Sequence, residues 1–240
     1  MRPLELVLLI GELLIFLVLV VPSLRSARWS RFSAVMVMVL ASAQIILEGP
    51  RWQMVPAYVL SGLFLAVSLI RATEREAPAR LRQRILAGLG VSLGALALTF
   101  ATALPELMPV FHFPQPRGPY GIGTATYHWV DASRPDMFAS TPGGHRELMV
   151  QVWYPAERNQ EPRRAPYLAP GTRFAALCRL GHLPPFFFDH LEYVTTNAQP
   201  SASMVAAPAR FPVLVFSPGR GGFRQNSTFQ IEELLSLIHI

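Results

Sequence analysis

A glycine-rich loop directly follows a run of apolar residues late in the sequence. Residues 213–216 read VLVF, a continuous apolar run typical of a strand buried on both faces of a parallel sheet, and residues 217–222 read SPGRGG. Glycines permit positive φ and a close approach of the backbone. Backbone N–H groups exposed in such a loop can hold a developing oxyanion, which is a requirement of acyl-transfer chemistry.

A glycine loop after a strand can also bind phosphate, and the residue types speak against that alternative. The Walker pattern ends in Gly-Lys-Ser or Gly-Lys-Thr, and the sequence has no lysine. The dinucleotide fingerprint needs glycines spaced as G-x-G-x-x-G, whereas Gly219, Gly221 and Gly222 have a different spacing. The loop therefore favours an oxyanion over a bound phosphate.

A serine nucleophile on a G-x-S-x-G turn between a strand and a helix would complete the chemistry. Residues 90–94 read GVSLG, but they lie within an apolar run, where small residues serve helix packing. Ser217 precedes the glycine loop, and Ser227 with Gln230 fits a capping box that begins a helix. We interpret none of these serines as the nucleophile, and we expect nucleophile, acid and base all to be absent from this sequence.

The histidines do not form a metal-binding pattern. His182 and His190 are eight residues apart with Asp189 adjacent, but the sequence has no Cys or His pair at the usual zinc spacing. The single cysteine, Cys178, excludes a disulfide scaffold. We expect neither a metal nor a cofactor.

The elements that would position these groups follow from composition. The chain has 240 residues, of which 51% are hydrophobic and 15% charged, and this charged fraction is below the roughly 25% usual for soluble domains. Four apolar runs are each close to the length that crosses the ~30 Å hydrocarbon core of a bilayer. We predict that residues 1–104 form a transmembrane domain with helices at about 4–21, 32–47, 54–70 and 85–104.

The arginines predict an orientation for this domain. Residues 1–104 contain ten arginines and five glutamates, whereas residues 105–240 contain eleven arginines and ten acidic residues. The excess positive charge thus lies between apolar runs rather than on a basic stripe, so we expect no nucleic-acid partner. By the positive-inside rule, loops one and three are cytoplasmic, and the N-terminus and everything after residue 104 face outward. The arginines of these two loops are Arg25, Arg28, Arg31, Arg71, Arg75, Arg80, Arg82 and Arg84.

Glu12 lies inside the first apolar run, where a carboxylate is costly and often functional. No second ionisable residue is found inside a span, so a proton relay or ion pathway has little support. We interpret Glu12 as protonated or paired within the helix bundle, close to Gln44.

The second half of the chain has the pattern of a sheet. Residues 105–119 are rich in proline and aromatics and are predicted to be an extended linker. Residues 124–130 and 146–154 alternate apolar, β-branched and aromatic types, which predicts two strands joined by a turn-rich connection over 131–144. The apolar strand, the glycine loop and the helix after Ser227 would form half of a βαβ unit.

A series of motifs occurs in order along the second half of the chain: GPYGIG at 118–123, Asp131, Arg134, VQVWYP at 150–155 and FPVLVFSPG at 211–219. This series resembles the platelet-activating-factor acetylhydrolase family, in its secreted and type II branch with bacterial membrane-anchored members. The resemblance covers roughly residues 115–234 and implies an α/β-hydrolase domain with a mixed or parallel sheet and helices. It also implies a serine esterase that cleaves short-acyl or oxidised esters, typically of phospholipids, without metal or cofactor.

The resemblance also implies roles in the glycine loop. By position, the Arg220 N–H supplies half of the oxyanion hole, between Gly219 and Gly221. Many members have histidine where this chain has Pro218, a variant that we take to be tolerated. The Arg220 side chain would lie at the mouth of the cleft, where it would favour anionic or zwitterionic head groups.

The last six residues, 235–240, read LSLIHI, which is also the translation, in one frame, of a transposase end sequence used in sequencing libraries. We expect these residues, including His239, to be a non-native tail. Residues 120–234 would then be the N-terminal part of an α/β-hydrolase domain, and the catalytic Ser, Asp and His would lie beyond this sequence.

These observations together predict an integral membrane serine esterase, with several spans in a bacterial plasma membrane and an extracytoplasmic catalytic domain. Its partners would be the lipid bilayer and a small ester or phospholipid substrate, and the chain as printed would be inactive. One alternative is a different α/β-hydrolase, such as a polyester or dienelactone-type enzyme. The other is a non-catalytic membrane protein that binds lipid or a partner.

Overall fold

The chain divides into two compact units, Met1–Phe111 and His112–Ile240. The first unit consists of helices, and the second contains a small mixed sheet and a helix. The computed structural model describes residues 1–24, 26–73, 81–137, 144–158, 163–168, 174, 178–179, 181–206, 210–219 and 222–237.

Four helices form the first unit: α1 Pro3–Val20, α2 Ala27–Leu47, α3 Val55–Thr73 and α4 Leu81–Leu107. Each is long and apolar enough to cross a membrane. Short 3₁₀ turns at Pro22–Leu24 and Trp52–Met54 join α1 to α2 and precede α3.

The bundle has an apolar core cluster and many exposed apolar side chains on its outer surface. Leu8, Ile15 and Met54 are fully buried in its core, while Ile46 and Leu96 are among many large apolar side chains that are mostly exposed. A surface helix of a soluble protein carries polar residues on its outer face. An apolar outer face is instead what a helix needs in contact with lipid.

Helix α4 corrects the predicted start of the linker. The helix continues through Pro105 to Leu107, so the expectation of an extended chain from residue 105 is wrong for residues 105–107. Proline removes one backbone donor, but the Met108 N–H still donates to the Leu104 carbonyl at 3.2 Å, and the helix ends within a turn. Pro105 lies in the last turn of the helix, where its missing N–H removes only the bond that residue 105 would donate to the Ala101 carbonyl.

The sheet of the second unit has the order β2-β1-β3, in which β1 is Gly121–Pro135, β2 is His145–Ala156 and β3 is Gln199–Pro200. Strands β1 and β2 pair antiparallel, with Thr124 opposite Trp153, and β3 pairs parallel to β1 over two residues. The two predicted strands are thus present and longer than predicted. Residues 131–135, expected in the connection, still belong to β1.

The predicted strand at residues 213–216 is not formed. No strand pairs with it in the described part of the chain, and Val213 and Val215 are 87% and 88% exposed. A strand buried on both faces of a parallel sheet needs a neighbour on each side and helices on both faces. Because the described residues supply no such neighbours, the prediction of a buried strand here is wrong for this structure, and the sheet is small and mixed.

Helix α5, Thr228–Leu237, begins directly after Ser227, where the capping box predicts a helix. It passes the predicted boundary at residue 234 and buries Ser236, whose hydroxyl oxygen accepts a hydrogen bond from the Gly118 N–H at 3.0 Å. Leu235 packs on the small core of the unit. Residues 235–237 of the expected tail are therefore helical, while 238–240, with His239, lie outside the described residues.

Candidate functional site

The glycine loop is a tight turn between the exposed apolar segment and the residues that lead to α5. The Gly222 N–H donates to the Gly219 carbonyl at 2.8 Å, which closes a four-residue turn. Of the predicted site residues, Gly219 is described, whereas Arg220 and Gly221 lie outside the described residues. The structure therefore places the two ends of the loop but not the proposed donor.

The two described glycines differ in the space around them. A Cβ on Gly219 would meet no atom within 4 Å, whereas a Cβ on Gly222 would lie 2.9 Å from the Pro218 Cβ and 3.0 Å from the Gly219 oxygen. Gly219 does not adopt positive φ. Gly222 therefore has a close backbone approach that a side chain would disturb, whereas Gly219 has open space around it.

An aromatic cluster lies beside the loop. The ring of Phe223, which directly follows Gly222, is 4.9 Å from the ring of Phe174 and 6.2 Å from that of Tyr167. The Tyr167 and Phe113 rings lie with their centroids 5.3 Å apart. Burial raises the pKa of the Tyr167 hydroxyl. These rings fix one end of the loop through edge-to-face packing.

Helix α5 is held by a buried carboxylate that sequence reasoning missed. Glu232 is 1% exposed, and its carboxylate accepts hydrogen bonds from the backbone N–H groups of Asn197 and Ala198 at 2.8 and 3.0 Å and from the Asn197 amide at 2.9 Å. Burial raises the pKa of Glu232, and the hydrogen bonds partly oppose that shift. In the sequence, Glu232 and its neighbour Glu233 look alike, because either carboxylate is a favourable charge near the start of a helix.

Glu233 has the opposite environment. Its side chain is partly exposed, and the backbone N–H and guanidinium of Arg117 bind its carboxylate at 3.1 and 2.8 Å. These hydrogen bonds lower the pKa of Glu233. The two adjacent glutamates thus tie one helix to two different segments of the unit.

The other candidate residues lie apart from the loop or in settings without elbow geometry. Ser92 lies within α4, and Gly94 packs that helix on α1, since a Cβ there would be 2.9 Å from the Phe16 ring. Ser217 is exposed in the unpaired segment, and Ser227 directly precedes α5. Among the described residues, no group of three or more His, Cys, Asp or Glu side chains could hold a metal.

The helix bundle contains two buried carboxylates. Glu12 accepts a hydrogen bond from the Ser61 hydroxyl at 2.8 Å, and it does not pair with Gln44, which binds the Gly49 carbonyl and the Tyr58 hydroxyl. The expected neighbour of Glu12 is therefore wrong, because Gln44 is already satisfied at the end of α2.

The second buried carboxylate, Glu5, forms an ionic cluster that the sequence analysis did not identify. Both Glu5 oxygens accept from the Arg51 guanidinium, at 2.6 and 2.7 Å, and Arg2 binds the same carboxylate at 2.8 Å. Arg51 also donates to the Met108 carbonyl at 2.8 Å, and Arg2 donates to the Glu48 and Gly49 carbonyls. The available signal was that Glu5 lies just inside the first predicted span, while Arg2 and Arg51 lie just outside predicted spans at the same end of the bundle.

Comparisons with known proteins give one similarity of note. A scan of protein-family models matches no family, and a search of curated proteins finds no match. A solved structure, a ferulic acid esterase from Streptomyces cinnamoneus, is 35% identical, with a TM-score of 0.41. The match covers 53% of this chain and 34% of that one, so the chain spans about a third of the esterase.

The similarity is to an ester hydrolase, but a superposition with this TM-score does not establish a shared fold. The platelet-activating-factor acetylhydrolase family is not confirmed. What the chain can do chemically therefore rests on its own residues, above all on the turn at 219–222.

Proposed function

We propose that this chain belongs to a membrane-anchored serine esterase of the α/β-hydrolase type, acting on short-acyl or oxidised phospholipid-type esters. The observation that carries the proposal is the tight glycine turn, closed from Gly222 to Gly219 at 2.8 Å and too crowded at Gly222 for a side chain. Such a turn after an apolar segment suits an oxyanion loop.

The chemistry assigned to the loop is the stabilisation of charge. When a nucleophile attacks the carbonyl carbon of an ester, the electron pair of the C=O bond moves onto the oxygen, and backbone N–H groups about 2.7–3.1 Å away stabilise it. We assign one of these donors to the Arg220 N–H. The Phe223 cluster beside the turn would keep it rigid, so that little reorganisation is needed during the reaction.

We further propose that Ser, Asp and His belong to additional chain that is not in the printed sequence. The exposed apolar segment supports this, because Val213 and Val215 have the residue types of a buried strand and are almost fully exposed. Further strands on both sides would bury them and would place a nucleophile next to the loop.

The orientation of the bundle is also a proposal. Arg2 and Arg51 are both paired with Glu5 at one end of the bundle, whereas Arg28, between α1 and the body of α2, is exposed. In the sequence, eight arginines lie in or next to loops one and three, against Arg2 and Arg51 at the other end. This distribution supports a cytoplasmic location for those loops and an extracytoplasmic esterase unit.

The test is to express the protein from source DNA read through the codon for Glu233 and onward, and to assay it in membranes. We expect a G-x-S-x-G motif in the added chain and hydrolysis of p-nitrophenyl acetate and of a phosphatidylcholine with a short sn-2 acyl chain. Hydrolysis of methyl ferulate in place of the phospholipid would assign a different ester class. Absence of both motif and hydrolysis would overturn the enzyme proposal and leave a lipid-binding or partner-binding protein.

A further inference from the structure

Strands β1 and β2 continue as a two-stranded arm beyond the part of the sheet that packs on the core. Strand β3 pairs with β1 only at Gly123 and Thr124. Beyond these residues, within the described part of the chain, β1 and β2 pair only with each other, and the arm consists of residues 126–135 and 145–151. Most of its residues are exposed on both faces.

One face of the arm is apolar and aromatic. Tyr127 lies opposite Val150, and Trp129 lies opposite Leu148, so all four side chains share a face. Tyr127, Trp129 and Leu148 are each about half exposed, at 49%, 53% and 50%, and the two rings are 6.4 Å apart. A contiguous apolar patch of this kind on a monomer marks an interaction site.

The other face of the arm is mixed. His128 and Glu147 pair across the strands at 2.8 Å and are exposed, beside Val130 and Met149. The two faces therefore differ, since the hydrogen-bonded His128–Glu147 pair lies on one face, whereas both aromatic rings, with Val150 and Leu148 opposite them, lie on the other. The aromatic face is thus the candidate for docking.

Two observations indicate what covers this face: the length of the segment that connects α4 to β1, and the residue types of the face itself. Residues 108–120 separate the last residue of α4 from the first of β1, and 13 residues span at most roughly 45 Å. The start of β1 therefore stays within about 45 Å of the end of α4, which keeps the arm near a bilayer that holds this helix. Tyr and Trp side chains favour the boundary between headgroups and acyl chains, where the ring is apolar and the polar end stays wet.

We propose that the aromatic face of the arm, made of Tyr127, Trp129, Leu148 and Val150, docks on the interfacial layer of the bilayer that anchors the chain. Arg146, opposite Asp131 at the outer part of the arm, can extend its apolar stem along that layer and reach lipid phosphates. This inference rests on the membrane anchoring in the proposed function, but not on the esterase chemistry.

The experiment uses the whole chain in phosphatidylcholine liposomes, with Cys178→Ser as background so that a single introduced cysteine carries an NBD fluorophore. Leu148→Cys labels the aromatic face, and Glu147→Cys is the matched control one residue away on the other face. Leu96→Cys, on the exposed side of α4, reports the anchoring itself. Quenching is measured with nitroxide lipids labelled in the headgroup or in the acyl chain.

We expect headgroup nitroxides to quench the label at 148 about threefold more than the label at 147. Equal quenching at both positions, or quenching by a water-soluble agent alone, would overturn the docking. A label at 148 that is shielded from the water-soluble agent but not quenched by lipid nitroxides would show that further protein covers the face. If that shielding depends on the protein-to-lipid ratio, the covering protein is a second copy of the chain. If acyl-chain nitroxides fail to quench the label at 96, the proposed membrane anchoring is wrong, whatever the labels at 147 and 148 show.

Discussion

The two units differ in whether the elements predicted from their residue types are formed. In the bundle, the carboxylate of Glu5 and the guanidinium of Arg51 are both buried and mutually bonded, and the apolar core is closed. In the second unit, Val213 and Val215 are almost fully exposed. The cause is the type of secondary structure. A helix forms its backbone hydrogen bonds within one segment, whereas a strand needs neighbouring strands from elsewhere in the chain.

The largest expected effect is on the ionic cluster of the bundle. Arg51→Met leaves Glu5 buried with fewer partners, and breaking a buried pair in this way costs about 3–5 kcal/mol of unfolding free energy. Arg2 still binds Glu5, so the lower end of that range is expected. The measurement is unfolding of the chain in lipid bicelles, with the exposed Arg28→Met as control.

The double variant Glu5→Gln with Arg51→Met sharpens this result. Removing both charges leaves Arg2 with the Glu48 carboxylate, 3.7 Å away, so part of the lost stability should return. If the double variant is as unstable as Arg51→Met alone, the ion pair does not organise this end of the bundle.

The second effect concerns the glycine turn in the protein extended by its further chain. Arg220→Pro removes the backbone N–H, and loss of one oxyanion donor lowers kcat about 10²- to 10³-fold. Arg220→Ala keeps that N–H and should turn over small neutral esters at the original rate. Esterase rates and far-UV circular dichroism of both variants are the measurement, and equal rates would remove Arg220 from the oxyanion hole.

The helices were the part of the fold most accessible to sequence reasoning. Apolar runs of bilayer length predict helices without knowledge of any partner, and α1–α4 lie where those runs lie. Strands β1 and β2 were also recognisable, since they are neighbours in sequence and pair as a hairpin. The state of residues 213–216 was not, because their continuous apolar run fits a buried strand only if other segments flank it.

The site was less predictable for a related reason. The glycine loop could be found from its composition, but the roles of Glu232 and Glu5 depend on Asn197 and Arg51, which lie 35 and 46 residues away. Such pairings are a property of the folded chain, and single-sequence patterns do not encode them. Glu12 shows the same limit, since its partner is Ser61 rather than the amide that the sequence offered.

A third prediction separates helix packing from catalysis in the GVSLG motif. Gly94→Ala places a Cβ 2.9 Å from the Phe16 ring, while Gly90→Ala meets no atom within 4 Å. Both gain the same helix propensity, so the difference in unfolding free energy isolates the contact and should be about 1 kcal/mol in favour of Gly90→Ala. Equal stabilities in bicelles would contradict the packing role of Gly94. Any loss of esterase activity in Ser92→Ala would indicate that Ser92 acts as the nucleophile after all.

The smallest effect is the pH dependence of the second unit, and it comes from the two glutamates of α5. The folded-state pKa of Glu232 is raised by burial, so the folded form holds its proton more tightly than the unfolded form does. Its contribution therefore declines as pH rises above the unfolded value near 4.5. The pKa of Glu233 is lowered by Arg117, so its contribution to stability is present above that value and is lost as pH falls.

Thermal unfolding of the whole chain between pH 4 and 8 is the measurement. In Glu232→Gln, the decline of stability towards high pH should become flatter. Glu233→Gln, its matched neighbour, should instead flatten the loss at low pH. The same change of slope in both variants would show that burial does not distinguish the two carboxylates.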